Sequence, residues 1–175
     1  MGLLMAMVGL FWIAEGDVYV GAKPTGPAPG VRLAPEGVVA LGDRQSGLWP
    51  WEDIRALTVE DVPVKTLGHQ VGVLVEMALT VGGLGGSDLP PAVTVRVGTA
   101  ERDAELTAYT AAYGYSRTEL DLSLALLSRL VEGEATLRTT LDAMARWGRT
   151  REGGSPRAAE REELLREWTE ASRLP

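Results

Sequence analysis

The residue types that most often act as bases, nucleophiles or metal ligands are scarce in this chain, which has one histidine, His69, and no cysteine. His69 lies in the sequence TLGHQ. General-base catalysis there would need a carboxylate or nucleophile nearby in space, and metal binding would need further ligands at a recognisable spacing. Neither pattern accompanies it. We interpret His69 as a solvated loop residue, and the sequence predicts no metal site and no cofactor.

Acidic side chains occur in three close pairs: Glu15 with Asp17, Glu52 with Asp53, and Glu60 with Asp61. Neighbours in a strand point to opposite faces, so the adjacent pairs are poorly placed to share a metal or to act together in hydrolysis. Glu15 and Asp17 could share a face, but they stand in isolation. We interpret all three pairs as solubilising charges and guards of strand edges.

The glycine-rich segment GGLGGS, residues 82–87, has the glycine content of a phosphate-binding loop. It lacks the lysine and hydroxyl residue that follow in a Walker motif, and prolines follow it where a helix would be required. The dinucleotide fingerprint fails in the same way, and no G-x-S-x-G elbow is present. The sequence therefore favours a protein that is not an enzyme.

The charge balance argues against two classes of partner. Aspartate and glutamate number 24 against 17 lysines and arginines, which gives a net charge of −7, and the basic residues do not cluster. Such a chain repels phosphate backbones and anionic lipid surfaces, so we expect no nucleic acid partner, and the charge also argues against an anionic membrane. The absence of cysteine is compatible with a reducing cytoplasm, which is the compartment we expect.

The first 14 residues, MGLLMAMVGLFWIA, carry no charged side chain. A secretory signal would need a basic region and a small-residue cleavage site, and a spanning helix would need about 20 apolar residues. The run therefore predicts a buried strand or a short core helix. The alternative is that Leu3–Trp12 anchors the protein to a membrane surface.

Strand and turn signals dominate the first hundred residues. The runs LFWIAEGDVYV (10–20) and VTVRV (93–97) predict strands, and Pro35-Glu36-Gly37 predicts a hairpin turn between two apolar runs. The segment LWPWEDIRALTVEDVPV (48–64) predicts a further strand with an irregularity near Ala56. Residues 71–86 fit either a buried strand or a short core helix.

The pattern becomes helical after the last predicted strand. Thr99 is a candidate cap for a helix over residues 100–113, although an extended path through LTAYTAAYGY (106–115) is also possible. Ser116 and Glu119 form a capping box at the start of a firmer helix with a broad leucine face. Another helix is predicted over residues 134–147.

The C-terminal segment is predicted to be a separate amphipathic helix. Residues 150–156 contain REGGSP and are predicted to be a linker, which divides a domain over residues 1–149 from a charged helix over 157–174. The only apolar stripe of that helix contains Leu164, Leu165, Trp168 and Ala171. The helix therefore either docks through a narrow face or waits for a partner.

Strands first and helices last is the order of an α+β domain, with an antiparallel sheet covered by C-terminal helices. The β part is expected over about residues 10–97 and the helical part over about 99–148.

Within the β part, the phrases DVYVGAKP, VRLAPEGVVAL and LWPWEDIRAL resemble the start of the small pleckstrin-homology-like (PH-like) barrels, including GRAM and bacterial PH-like domains. In these a strand with l-x-x-x-G-l is followed by a turn and then ipW-x-d-I-x-x-l. The resemblance covers about residues 15–65. The matching positions are Leu33, Gly37, Val38, Pro50, Trp51, Asp53 and Ile54.

The resemblance implies an N-terminal antiparallel β-barrel or strongly bent sheet, with a helix at one end that the segment beginning at Ser116 would supply. It also implies that Trp51 is mostly an internal packing residue. Lipid-binding members of the family use basic residues in the first loop between strands. Here that loop, GAKPTGPAPG, offers only Lys23, which departs from the lipid-binding pattern.

The function that the sequence favours is protein–protein interaction or self-assembly as a homo-oligomer. The candidate interaction residues are Trp49, which packs inside or anchors a partner, and the stripe of Leu164, Leu165 and Trp168. A membrane-peripheral module is the alternative, and an enzyme has the least support.

Overall fold

Two antiparallel sheets followed by three helices make up the part of the chain that the computed structural model describes, residues 5–14, 16–64, 91–112, 114–150 and 155–171. This arrangement confirms the α+β class. Several features of the sequence lie outside the described residues: Leu3, Glu15, His69, the segment 71–86 and its GGLGGS motif.

The first sheet has six strands in chain order, so each strand pairs with the next one along the chain. They are β1 Met5–Val8, β2 Phe11–Ala14, β3 Asp17–Val20, β4 Gly30–Ala34, β5 Gly37–Leu41 and β6 Gly47–Pro50. Ala34 pairs with Gly37 across Pro35 and Glu36, which confirms the predicted hairpin. Among the strands that the structure describes, β6 is the last of the sheet and pairs with β5 alone.

The apolar N-terminal run contributes strands to this sheet. Val8, Phe11 and Ile13 are fully buried, which confirms a buried strand over the described part of the run and moves the start of the β part from residue 10 to Met5. The β1–β2 turn needs glycine because Gly9 has φ +60° and a Cβ there would lie 2.2 Å from Oγ of Ser123.

The second sheet has three strands, β7 Ile54–Glu60, β8 Ala92–Thr99 and β9 Asp103–Tyr109. The register of β7 shifts between Ile54 and Ala56, which confirms the predicted irregularity. The expected helix over residues 100–113 is wrong, because Asp103–Tyr109 pairs with β8 throughout its length. Its burial alternates as a strand requires, with Leu106 and Ala108 buried and Glu105 and Thr107 exposed.

The two sheets meet at β9, and the described strands do not close into a barrel. The Ala22 N–H donates to the Tyr109 carbonyl over 2.7 Å. The Gln45 side chain accepts from the Thr107 N–H over 2.8 Å and donates to the Thr107 carbonyl over 2.9 Å. An amide side chain thus makes the pair of bonds that a neighbouring strand would make, and it joins β9 to the first sheet.

The helices are α1 Arg117–Leu130, α2 Glu134–Thr150 and α3 Ala158–Ala171. Ser116 caps α1, because its side chain accepts from the Glu119 N–H over 3.1 Å, as the capping box predicts. The helical part therefore begins at Arg117 and not at residue 99. α1 packs on β7, α2 on β2 and β3, and α3 on α1, α2 and β1. One continuous apolar core unites both sheets with all three helices.

Candidate functional site

The four candidate interaction residues lie in two separate regions. Leu164, Leu165 and Trp168 are on α3, whereas Trp49 is on β6. Leu165 is fully buried and Trp168 is 4% exposed, while Leu164 and Trp49 are half-buried. Leu165 and Trp168 are therefore occupied by contacts within the chain, and α3 docks through its narrow apolar face.

The α3 seam, as we name the contact of Leu165 and Trp168 with the rest of the chain, is closely packed. The Trp168 ring stands edge-on to Trp147 of α2, with centroids 5.7 Å apart and an interplanar angle of 74°. Leu165 lies over the β1–β2 turn, because a Cβ on Gly9 would be 3.0 Å from its Cδ1 atom. Burying two such side chains stabilises the docked helix by about 3–6 kcal/mol.

A polar joint made by the buried residues Glu119 and Ser123 and the half-buried Arg161 lies beside this seam. The Glu119 carboxylate accepts from Nε of Arg161 over 2.5 Å and from the Gly9 N–H over 3.1 Å. Ser123 accepts from the Leu10 N–H over 3.1 Å and donates to the Glu119 carbonyl over 2.8 Å. The joint satisfies backbone donors in the β1–β2 turn and fixes that turn, α1 and α3 relative to one another.

Tyr115 is buried just before α1. Its hydroxyl lies beside the backbone of Ala111 and Ala112 without a hydrogen bond of normal geometry to a described residue. Burial raises the pKa of Tyr115 to about 12, against a smaller opposing effect of that backbone. A phenol with this pKa stays protonated at neutral pH, so Tyr115 is a structural residue and a poor candidate for acid–base chemistry.

The corner groove, as we name it, is an open depression of about 610 Å³ at the place where β6 leaves the first sheet and β7 begins the second. Leu48–Pro50 line one side, and Thr99–Ala104, in the turn between β8 and β9, line the other. A short 3-10 helix, Trp51–Asp53, connects β6 to β7 and forms the end of the groove. The groove therefore lies beside the edge of β6 that pairs with no described strand.

Leu48 gives this groove an apolar surface. It is 49% exposed, and no other large hydrophobic residue in the described ranges is as exposed. Trp49 and Pro50 continue the apolar surface and are half-buried. The Trp49 ring packs over Gly47, where a Cβ would lie 3.1 Å from its Cη2 atom.

The rim of the corner groove is acidic. Four exposed carboxylates line it, those of Glu52, Asp53, Glu101 and Asp103. Arg55 and Arg102 are the two cationic residues of the lining. None of the four carboxylates forms an ion pair with another described residue.

A second groove, of about 860 Å³, lies on the other side of the 3-10 helix. It runs between Trp51 and the connection from α1 to α2, where Val131 and Leu137 line it. The Trp51 indole N–H donates to the Ala34 carbonyl over 2.7 Å, so its polar edge is satisfied inside the chain. Trp51 is half-buried and packs against the core, in keeping with the packing role predicted for it.

Two further classes of site were tested over the described ranges. No group of three or more histidine, aspartate or glutamate side chains is arranged there to hold a metal ion. Among the helices that the structure describes, none has both the length and the apolar composition needed to cross a bilayer.

No protein-family model matches the chain, and comparisons with curated proteins and with solved structures found no significant match.

The sequence analysis did not identify the residues that hold the α3 seam closed or the one that leaves the corner groove exposed. The capping box identified Glu119, but its carboxylate reaches Gly9 and Arg161 instead of the start of its own helix. Arg161 is one of many charged residues on α3, and nothing in its spacing marks it as the one that pairs with Glu119. Leu48 opens the aromatic phrase LWPWED, but its exposure depends on where β6 ends in the sheet.

Proposed function

We propose that this chain is a non-catalytic protein that binds another protein, or a second copy of itself, through the corner groove. The observation that carries the proposal is the exposure of Leu48, at 49%, inside an open groove. We place this function in the cytoplasm, in keeping with a chain that has no cysteine.

A single exposed leucine is common on protein surfaces. Leu48 differs because Trp49 and Pro50 extend the same apolar surface and because the groove beside it is concave. Large aromatic side chains with one face free are enriched among the anchors of protein interfaces. An apolar surface in a groove with a charged rim is the usual anatomy of such an interface.

The scaffold in this proposal is PH-like. Strands β3–β6 would supply the first sheet, β7–β9 the second, and α1 the helix that follows, in the order that the sequence resemblance implies. Strands β1 and β2 with helices α2 and α3 would then be additions to that unit. Lys23 is exposed in the first loop of the unit and is its only cation, so the proposal is for a protein ligand and not for an anionic lipid.

A photo-cross-linking phenylalanine analogue placed at position 48 of the full chain tests the proposal in cells that make the protein natively. We expect a discrete adduct with one other protein, or with a second copy of the chain. The matched control is the same analogue at Glu163, an exposed position on α3. Equal adducts at both positions, or none at position 48, would show that the corner groove is not an interface.

A further inference from the structure

We propose that the corner groove binds a basic segment of a different protein, a stretch with lysine or arginine residues around at least one apolar residue. This inference rests on the proposed function and specifies its partner. The apolar residue would pack on Leu48 and Trp49, and the cationic residues would face the carboxylates of the rim.

The charge of the rim is the first argument. Glu52, Asp53, Glu101 and Asp103 outnumber the two arginines of the lining, and the whole chain carries a net charge of −7. An acidic groove on an acidic protein attracts cationic partners over long range and speeds their association. Like-charge repulsion opposes nucleic acid and also opposes a second copy of this chain.

The second argument is that these carboxylates are free to pair. In the second sheet, Arg96 of β8 forms ion pairs with Glu60 over 3.1 Å and with Glu105 over 2.9 Å. In the first sheet, Arg32 pairs with Asp17 over 3.1 Å. The carboxylates at the rim form no such ion pair with a described residue, and Asp103 interacts with Arg96 only at longer range. A cationic ligand would therefore gain ion pairs there without breaking existing ones.

The third argument is the combination of groove and apolar surface. Exposed carboxylates alone form an ordinary solvated surface. Here they surround a depression of about 610 Å³ with Leu48 exposed in it, which is within the size range of pockets that hold small ligands or a few side chains. The ion pairs would orient the segment, and burial of its apolar residue against Leu48 and Trp49 would supply affinity.

The test is selection from a library of short random peptides displayed on phage, with the full chain as the immobilised target. We expect the selected peptides to be enriched in lysine or arginine and to contain an apolar residue. The strongest of them is then synthesised, and its affinity is measured by fluorescence anisotropy at low and at high salt. Screening at high salt should weaken its binding.

Three variants assign that binding to the groove. Leu48→Ala should weaken it about tenfold because the apolar contact is lost. The double change Glu101→Gln and Asp103→Asn should weaken it by about fivefold to tenfold and reduce its salt dependence. The matched control, Glu163→Gln with Glu167→Gln, removes the same charge from α3 and should change the affinity less than twofold.

The outcomes separate this inference from the proposed function. Neutral or acidic selected peptides that still require Leu48 would overturn the basic partner and leave protein binding at the groove in place. Basic peptides that bind equally to all variants would overturn the inference, as would an adduct at position 48 with a second copy of the chain. No selected peptide together with no adduct at position 48 would overturn both.

Discussion

The α3 seam and the corner groove both contain a tryptophan beside a leucine, yet one is closed and the other is open. In the seam, Leu165 is fully buried and Trp168 is 4% exposed against Trp147. In the groove, Leu48 is 49% exposed and Trp49 is half-buried. The sequence singled out a residue of each region for interaction, Trp49 as a possible anchor and the stripe of Leu164, Leu165 and Trp168 as the apolar face of a charged helix.

The difference lies in the polar groups around each pair. Beside the seam, Arg161 of α3 forms an ion pair with the buried Glu119 of α1. Around the groove, the four carboxylates form no ion pair with a described residue, and Asp103 interacts with Arg96 only at longer range. An apolar pair whose polar neighbours are satisfied belongs to the core, whereas one whose neighbours are unpaired and exposed is available to a partner.

The largest expected effect is the loss of the seam. Trp168→Ala should lower the free energy of unfolding by about 3–5 kcal/mol, because a large buried side chain is replaced by a cavity. Leu164→Ala is the control, and it should cost less because Leu164 is half-buried. Urea unfolding of the full chain measures both. A cost below about 1 kcal/mol for Trp168→Ala would mean that α3 does not dock in solution.

Breaking the polar joint should lower the free energy of unfolding by about 3 kcal/mol. Arg161→Ala leaves the Glu119 carboxylate, which is 3% exposed, without its cationic partner. The double variant Glu119→Gln with Arg161→Met should recover part of the loss, because a neutral amide oxygen can still accept from the Gly9 N–H. Equal losses in the single and double variants, measured by urea unfolding, would show that the buried charge is not the cause.

Alkaline pH should lower the free energy of unfolding by up to about 2–3 kcal/mol, because Tyr115 ionises less readily in the folded chain than in the unfolded chain. The pKa of Tyr115 is raised from 10.0 to about 12 by burial. The unfolded chain therefore releases the phenol proton first, so this contribution to stability is complete below pH 10 and falls as the pH rises towards 12.

Tyr115→Phe is the control for that titration. At neutral pH its stability should lie within about 1 kcal/mol of the parent, because the hydroxyl makes no hydrogen bond of normal geometry with a described residue. Urea unfolding at a series of pH values compares the two chains. An equally steep alkaline loss in the variant would assign that loss to other groups.

Much of the fold could be predicted because its signals are local. The Pro35-Glu36-Gly37 turn, the irregularity near Ala56 and the Ser116 cap each follow from a few adjacent residues, and each is confirmed. The error over residues 100–113 came from Thr99, whose hydroxyl does satisfy a nearby backbone N–H. That N–H belongs to Arg102, at 3.2 Å, in the turn between β8 and β9, so the same chemistry caps a hairpin turn and not a helix.

The two regions could not be told apart from the sequence because their difference depends on contacts between distant residues. Glu119 and Arg161 are 42 positions apart, and Gln45 reaches Thr107 across 62. Amphipathic periodicity shows that α3 has an apolar stripe, but it carries no information on which surface covers that stripe. Likewise, β-strand character in LWPWED predicts an extended segment without placing it at the edge of a sheet.

Leu48→Ala should have the smallest effect on stability and the most direct effect on function. Because the side chain is 49% exposed, its truncation should change the free energy of unfolding by about 0.5 kcal/mol or less. The same change should weaken peptide binding about tenfold, since the apolar contact exists only in the complex. Urea unfolding and fluorescence anisotropy on one preparation measure the two effects. A stability loss as large as that of Trp168→Ala would place Leu48 in the core, and the contrast between the two regions would no longer hold.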